Sequence, residues 1–374
     1  MKTAREKRTK FPPGLPPAEK LDKLILDCIG RGADRASSDA EFNRLALALF
    51  QHQFVLNTPY RRYCESLGRT PAGVAHWTQI PAVPTTAFKD AELTTLRPAQ
   101  RTAVFHSSGT TEQRPSRHFH SRATLALYET ALWTMFKARV AGDGWWMARS
   151  CRLVILTPTP AEAPHSSLVH MMETIRRRFG APKTVFVGGV ALEDGKALAR
   201  AVQSSVGSRP SPVLLLGTAL AFVRLLDAAK SLPLPPGSRV METGGYKGRA
   251  REVPREVLHA RLAATLSIPR SAIVSEYGMC ELSSQFYTRP APPDGRATIF
   301  TGPPWTRVRV LDPETGCAAR EGEPGLIRVF DLANRASVLA IQTEDVGVRR
   351  GDGFELMGRA PQAEARGCSL MVSS

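Results

Sequence analysis

A run of small, donor-bearing residues, Ser107-Ser108-Gly109-Thr110-Thr111, follows the short apolar stretch Ala103-Val104-Phe105-His106. A strand ending in such a loop, with a helix soon after, turns backbone N–H groups and hydroxyls toward one point, as a polyphosphate requires. Gly109 has no Cβ and lets the backbone approach closely. No G-x-x-x-x-G-K-[ST] run occurs, so this is not a Walker loop. Ser275-Glu276-Tyr277-Gly278-Met279-Cys280-Glu281 leaves another apolar stretch and ends on a carboxylate suited to Mg²⁺. Farther on, Asp345 and Arg359 lie fourteen residues apart across an expected hairpin. A carboxylate there can accept from both ribose hydroxyls, and an arginine can pair with phosphate. Near Ser374, Cys368 has Arg366 and Gly367 beside it, a setting in which a thiol can act as nucleophile. Each feature alone also reads as an ordinary turn, a surface charge or a tail cysteine; their order along the chain is what joins them.

The elements that would position these groups follow from periodicity. Residues 1–18 are basic and proline-rich and read as a mobile arm. Over 19–102, apolar residues recur at helical spacing, with Leu21, Leu24, Ile25 and Cys28 and then Phe42, Leu45, Leu47, Leu49 and Phe50, so a helical subdomain is expected. Ile80 to Lys89 is punctuated by prolines and reads as extended. From 103 to 290 the rhythm becomes strand, loop, helix: AVFH, RLVIL, TVFVGG, VLLLG, RVMETGG and AIVSEYG are strands, and helices occupy the intervals. Such alternation predicts a parallel sheet with helices on both faces and ligands beyond the carboxyl ends of the strands. Residues 291–374 are a β-rich module with a tail that carries Cys368. The predicted class is therefore α/β, with parallel sheets, flanking helices and a small β-rich module.

Composition narrows the function. The chain has 374 residues, 43% of them hydrophobic, which suits two or three packed subdomains. Its longest apolar runs, such as VLLL at 213–216, are too short to span a bilayer. The charged start lacks an apolar h-region, so a cytoplasmic protein is expected. Six cysteines show no C-x-x-C spacing, which argues for reduced thiols, with Cys28, Cys64, Cys151 and Cys317 as small buried residues. His118 and His120 share one strand face without a third metal ligand, and His165 and His170 are poorly placed for one helical face. The net charge of +16 is spread along the chain, mostly as arginine, and is not interleaved with aromatics. It suits attraction of anionic small molecules better than a nucleic-acid groove.

The ordered set of motifs resembles the adenylate-forming superfamily over roughly residues 80–374. Ser107 to Thr111 is similar to its phosphate loop, and Gly244-Gly245-Tyr246 to its adenine-binding segment. Tyr277-Gly278-Met279-Cys280-Glu281 is similar to its Y-G-x-[ST]-E motif, and Asp345 and Arg359 match its ribose-binding Asp and the Arg that follows. Within that group, Ile80 to Pro84 with Phe88-Lys89, Glu281 to Tyr287, and Arg366 to Met371 resemble the bacterial acyl-protein synthetases of the bioluminescence fatty-acid reductase system. The resemblance implies ATP and Mg²⁺ as cofactors, with Glu281 as metal ligand and catalytic residue. It also implies a fatty or other apolar acid as substrate, Cys368 as acyl carrier, and a reductase protein as the onward acceptor. Nine residues from Arg359 to Cys368 reach about 30 Å when extended, enough to bring a thiol to an adenylate. An acid pocket is expected near Gly217-Thr218-Ala219-Leu220.

Three departures from the superfamily pattern stand out. Glu112 occupies a usual glycine position of the phosphate loop, and Cys280 replaces the hydroxyl residue before the glutamate. The large C-terminal domain with its adenylation lysine has no counterpart before Ser374, as in the short acyl-protein synthetases, which leaves Lys247 and Lys89 as candidate cations. Three rival readings remain open: an acyl-CoA ligase of the phenylacetate type, a non-catalytic nucleotide-binding homologue, and a basic nucleic-acid binder with steeply salt-dependent retention.

Overall fold

The computed structural model describes residues 15–107, 114–142, 151–181, 183–206, 211–244, 253–289 and 298–360. The N-terminal part is helical, with α1 (Ala18–Gly30), α2 (Asp39–Leu56) and α3 (Thr58–Ser66). Local chemistry starts two of them. Ser38 accepts from the Glu41 N–H at the head of α2, whose first turn carries Asp39 and Glu41 against the positive helix end. Asn57 caps α3 through the Tyr60 N–H. Leu21, Ile25, Cys28, Phe42, Leu49 and Phe50 are buried as their spacing predicts, but Leu24 is exposed, at 42%, at the rim of a groove between α1 and α2.

The segment from Ile80 is extended only as far as β1 (Val83–Pro84); α4 (Ala87–Asp90) then begins, anchored by the fully buried Phe88. A second expectation also needs correcting. Residues 103–106 do not start the parallel sheet. As β2 (Ala103–His106) they pair antiparallel with β3 (Arg117–His120) in a separate two-stranded sheet. The donor-rich loop is thus a hairpin connection, and helix α5 (Arg122–Phe136) follows only after β3.

The main sheet has twelve strands. Its parallel half comprises β4 (Arg152–Leu156), β5 (Lys183–Phe186), β6 (Val213–Thr218), β7 (Arg239–Thr243) and β8 (Ile273–Tyr277), in spatial order β8-β7-β6-β4-β5. The helices between them are α6 (Ser167–Phe179), α7 (Gly195–Val206), α8 (Ala219–Ala228) and α9 (Arg255–Leu266). Alternation divides the side chains cleanly. Leu153, Ile155, Leu214, Leu216, Met241 and Val274 join the core shared with α5 and α6. Val154, Leu156, Val213, Leu215, Val240 and Ile273 join the core under α7, α8 and α9. Both faces of the central strands are covered, which is why β4 and β6 read as unbroken apolar runs.

Beyond β8 the sheet turns antiparallel through β9 (Phe286–Thr288), β10 (Ile299–Thr301), β11 (Thr306–Leu311), β12 (Pro324–Asp331), β13 (Ala340–Arg350) and β14 (Gly353–Arg359), in the order β9-β10-β14-β13-β12-β11. The β-rich strands therefore continue the parallel sheet. On one edge of β13, β14 pairs with 345–350 and β1 pairs with Ile341 and Gln342. No helix among the described residues is long and apolar enough to cross a membrane.

Cys28, Cys64, Cys151 and Cys280 are buried, and burial pushes the Cys64 thiol up to about 12 and that of Cys151 up to about 11. Cys317 is exposed, contrary to the sequence reading. It lies in the turn after β11, where Asp312 accepts from the Glu314 and Thr315 N–H groups and holds the chain at the surface.

Candidate active site

Four chain segments meet where β8 leaves the sheet. The first is the root of the donor-rich loop. The Ser107 hydroxyl oxygen accepts from the Ser116 N–H at 2.9 Å, and the Ser107 N–H donates to the Ser116 carbonyl at 3.2 Å, so the loop is closed at its base. Ser116 in turn hydrogen-bonds the Glu281 carboxylate. The second segment, the turn after β8, thereby comes against the first.

Glu281 is buried, at 5% exposure, and burial pushes its carboxyl upward against the bonds from Ser116 and Cys280. Its backbone is fixed from behind. The Asn334 amide donates to the Glu281 carbonyl at 2.8 Å, and His118 Nδ1 donates to the Cys280 carbonyl at 2.6 Å. Burial lowers His118 to about 4, so the ring is neutral and its tautomer is set by that carbonyl. Asp331, fully buried, accepts from the Ser283 N–H at 2.9 Å and the Ser284 hydroxyl at 2.7 Å, which pins the next two residues. Burial pushes Asp331 up to about 6 despite these donors.

The third segment is the β13–β14 ladder. Asp345 and Arg359, on the two arms of the hairpin, are direct register partners beyond a bulge between Val346 and Gly347. Tyr277 donates its hydroxyl to Asp345 Oδ2 at 2.8 Å, and Arg359 Nε lies 3.6 Å from Oδ1. Burial pushes Asp345 up, while Tyr277 and Arg359 pull it down. The charge of Arg359 also lowers Glu281, though less than the Ser116 and Cys280 hydrogen bonds do. Arg359 itself is 79% exposed and available to an anion.

The fourth segment is the end of β7. Gly244 follows it at φ +73°, a left-handed turn that favours glycine. Thr243, just before that turn, hydrogen-bonds Glu276 on β8. Ser107, Gly244, Tyr277, Gly278, Glu281, Asp345 and Arg359 are thus linked through Ser116, Thr243 and Glu276 into one region. Ser108, Gly109, Thr110, Thr111, Gly245, Tyr246 and Cys368 lie outside the described residues, as do Glu112 and Lys247.

Gly217, the first of the four residues near which an acid pocket is expected, is closely packed. A Cβ there would meet Leu156 Cβ at 3.0 Å and the Phe222 ring at 3.3 Å, so the small residue serves helix–strand packing. Thr218 caps α8 through the Ala221 N–H. Five contributors escaped the sequence reading: Ser116, Thr243, Glu276, Asp331 and Asn334. Glu276 stands inside the motif and was passed over because the neighbouring Tyr-Gly pair carries the pattern. Asp331 and Asn334 are far from it in sequence and act only through long-range contacts.

In fold, this large α/β sheet with flanking helices is similar to solved adenylate-forming ligases. A solved 2-hydroxyisobutyryl-CoA ligase, in complex with 2-HIB-AMP and CoA, superposes with a TM-score of 0.62 over 88% of this chain and 76% of that one. Identity is 15%, so the likeness is one of fold. A family model described as acyl-protein synthetase, LuxE, matches residues 15–374, and the chain belongs to that family. Two similar proteins are long-chain-fatty-acid--luciferin-component ligases. The one from Vibrio harveyi is 23% identical over 345 residues, 88% of this chain and 87% of that protein. The one from Aliivibrio fischeri is 24% identical over 349 residues, 89% of this chain and 88% of that protein.

Proposed function

We propose that this enzyme couples ATP to the activation of a fatty or other apolar carboxylic acid and then passes the acyl group to Cys368 and on to a partner protein. A carboxylate is a poor electrophile because its leaving group would be oxide. Attack of a carboxylate oxygen on the α-phosphorus of ATP forms a new P–O bond and breaks the α–β bridge, releasing pyrophosphate. The acyl-adenylate then has AMP as leaving group. Attack of a thiolate on its carbonyl carbon forms the thioester and expels AMP.

The observation that carries the reading is the joined set Tyr277, Asp345, Arg359 and Glu281 beside the closed root of the donor-rich loop. Asp345 is suited to the ribose hydroxyls, with Tyr277 holding its carboxylate in place. Arg359 supplies a positive charge for phosphate, and Ser107 to Thr111 would line the phosphate chain. Positioning and charge neutralisation are the main demands of such a step. Mg²⁺ fits this donor set. Among the described residues no group of three His, Cys, Asp or Glu could hold a metal ion by itself, and Mg²⁺ in nucleotide sites takes one or two carboxylates with phosphate oxygens and waters. Glu281 would hold it, and its contribution would be to offset phosphate charge.

The names of the two relatives, which pair a long-chain fatty acid with a luciferin component, support an apolar acid and a protein acceptor for this chain as well. The test supplies purified protein with ATP, Mg²⁺ and acids from short to long chain, reading pyrophosphate release and covalent mass. Acid-dependent pyrophosphate with an acyl mass gain on wild type, absent from Cys368→Ser, is expected. Absence of pyrophosphate with every acid refutes adenylation, and an unchanged mass gain on Cys368→Ser refutes the thioester on that residue.

A further inference from the structure

Thr243 and Glu276 are register partners on the parallel strands β7 and β8, and so are Glu242 and Ser275 one residue earlier. Each pair couples a carboxylate to a hydroxyl across the strands: Thr243 donates to Glu276 Oε2, and Ser275 donates to Glu242 Oε1. Alternation sends the two pairs to opposite faces. On the α9 face, Glu242 also has His259 Nε2 at 3.4 Å and Arg255 Nε at 3.7 Å. On the α5 face, Glu276 has Tyr128 from α5 and Tyr287 from β9 nearby, with the Glu242 charge behind it. Among the described residues no basic side chain pairs with it. A buried carboxylate without a cation is expensive to keep. Its stabilising neighbours are the Thr243 hydroxyl and the backbone it packs on.

That backbone is the turn of the candidate site. Glu276 Oε1 lies 2.6 Å from where a Cβ on Gly278 would stand, so the carboxylate rests directly on the Tyr277–Gly278 turn. Its other oxygen holds Thr243, the last residue before the left-handed Gly244. One side chain therefore touches one nucleotide-facing turn and grips the root of the other.

The geometry points to Glu276 as a positioning residue: through the Thr243 hydroxyl on one side and Gly278 on the other, it sets the spacing between the Gly244 turn and the Tyr277–Glu281 turn that a nucleotide must span. This rests on the nucleotide site proposed above and adds a residue that acts through others without touching the substrate. Burial pushes the Glu276 carboxyl up to about 7. The ionised form can only accept and so takes the Thr243 proton, while the protonated form can donate in its turn and loosens that demand. ATP should therefore bind better as pH rises through about 7, with Glu242, Tyr128 and Tyr287 the titratable groups facing the carboxyl.

The experiment uses the full chain and measures ATP affinity directly, alongside the KM for ATP and for acid in pyrophosphate release. Thr243→Val keeps the shape and removes the donor. Its ATP KM should rise about tenfold, the effect of one lost hydrogen bond to a charged group, with the acid KM held within about twofold. Thr243→Ser should restore the wild-type value. Glu276→Gln should flatten the change in ATP KM that wild type shows between about pH 6 and pH 8, either side of that group's titration. A Thr243→Val protein with a wild-type melting temperature and unchanged ATP KM refutes the positioning role. So does an equal rise in both KM values, or a Glu276→Gln protein that keeps the wild-type pH slope. Wild type that fails to bind ATP refutes the nucleotide site and this role together, whereas wild type that binds and turns over beside an unaffected Thr243→Val refutes this role alone.

Discussion

Replacing Glu276 by Gln should make the protein more stable at alkaline pH and leave it nearly unchanged at mildly acidic pH. Burial lifts the folded-state carboxyl from its ordinary 4.5 to about 7. The folded state thus holds its proton more tightly than the unfolded chain does. The stability linked to that proton is full below about 4.5 and is lost as pH rises through about 7. The gap between the two values corresponds to about 3 kcal/mol, at 1.36 kcal/mol for each pH unit. Glutamine has the same shape, can still accept from Thr243, and carries no charge to desolvate. The assay is urea unfolding of both proteins at pH 5 and pH 8. Stabilities within about 1 kcal/mol at pH 5, and an advantage of about 3 kcal/mol for Gln at pH 8, are expected. An identical difference at the two pH values would refute the reasoning, because it would mean that the buried carboxyl titrates alike in both states. If the variant is also poorer in ATP affinity above pH 7, the carboxylate is retained for function at the expense of stability.

Asp345→Ala should weaken ATP about tenfold to a hundredfold in KM, while Tyr277→Phe, which leaves the carboxylate present but short of one donor, should cost less than tenfold; equal losses would contradict the roles given to the pair. Cys368→Ser should leave acid-dependent pyrophosphate release within about twofold of wild type while abolishing the acyl mass gain, as mass spectrometry of both proteins would read. On the acid side, His118 is depressed from 6.5 to about 4, so its contribution is full above 6.5 and is lost as pH falls through about 4. His118→Asn, which can keep a donor to the Cys280 carbonyl, should flatten the fall in stability between those values by up to about 3 kcal/mol, read by urea unfolding across that range.

Much of this arrangement was legible before any coordinates. The runs RLVIL and VLLLG are apolar on both faces because helices cover both sides of the sheet, and their length marks them as strands. That Asp345 and Arg359 fall on the two arms of one hairpin follows from the short turn at Gly351-Asp352, but a bulge between Val346 and Gly347 shifts the register by one residue and sets them directly opposite. The misreadings have equally local causes. AVFH has the texture of a buried parallel strand, but four residues carry no information about which neighbour they will find, and RHFH across the loop became that neighbour. Cys317 looks like any small apolar residue until the Asp312 turn carries it outward.

Sequence alone thus determined the α/β class, the order of the turns at the strand ends and the chemical kinds of side chain they bear, because periodicity and turn chemistry act over a few residues. Tertiary structure alone decided that the β-rich strands extend the parallel sheet, and that Ser116 reaches Glu281. It likewise decided that Asp331 and Asn334 brace the motif from fifty residues away. Those contacts depend on which buried polar groups must share partners once water is excluded, and that is settled only when distant segments are packed together.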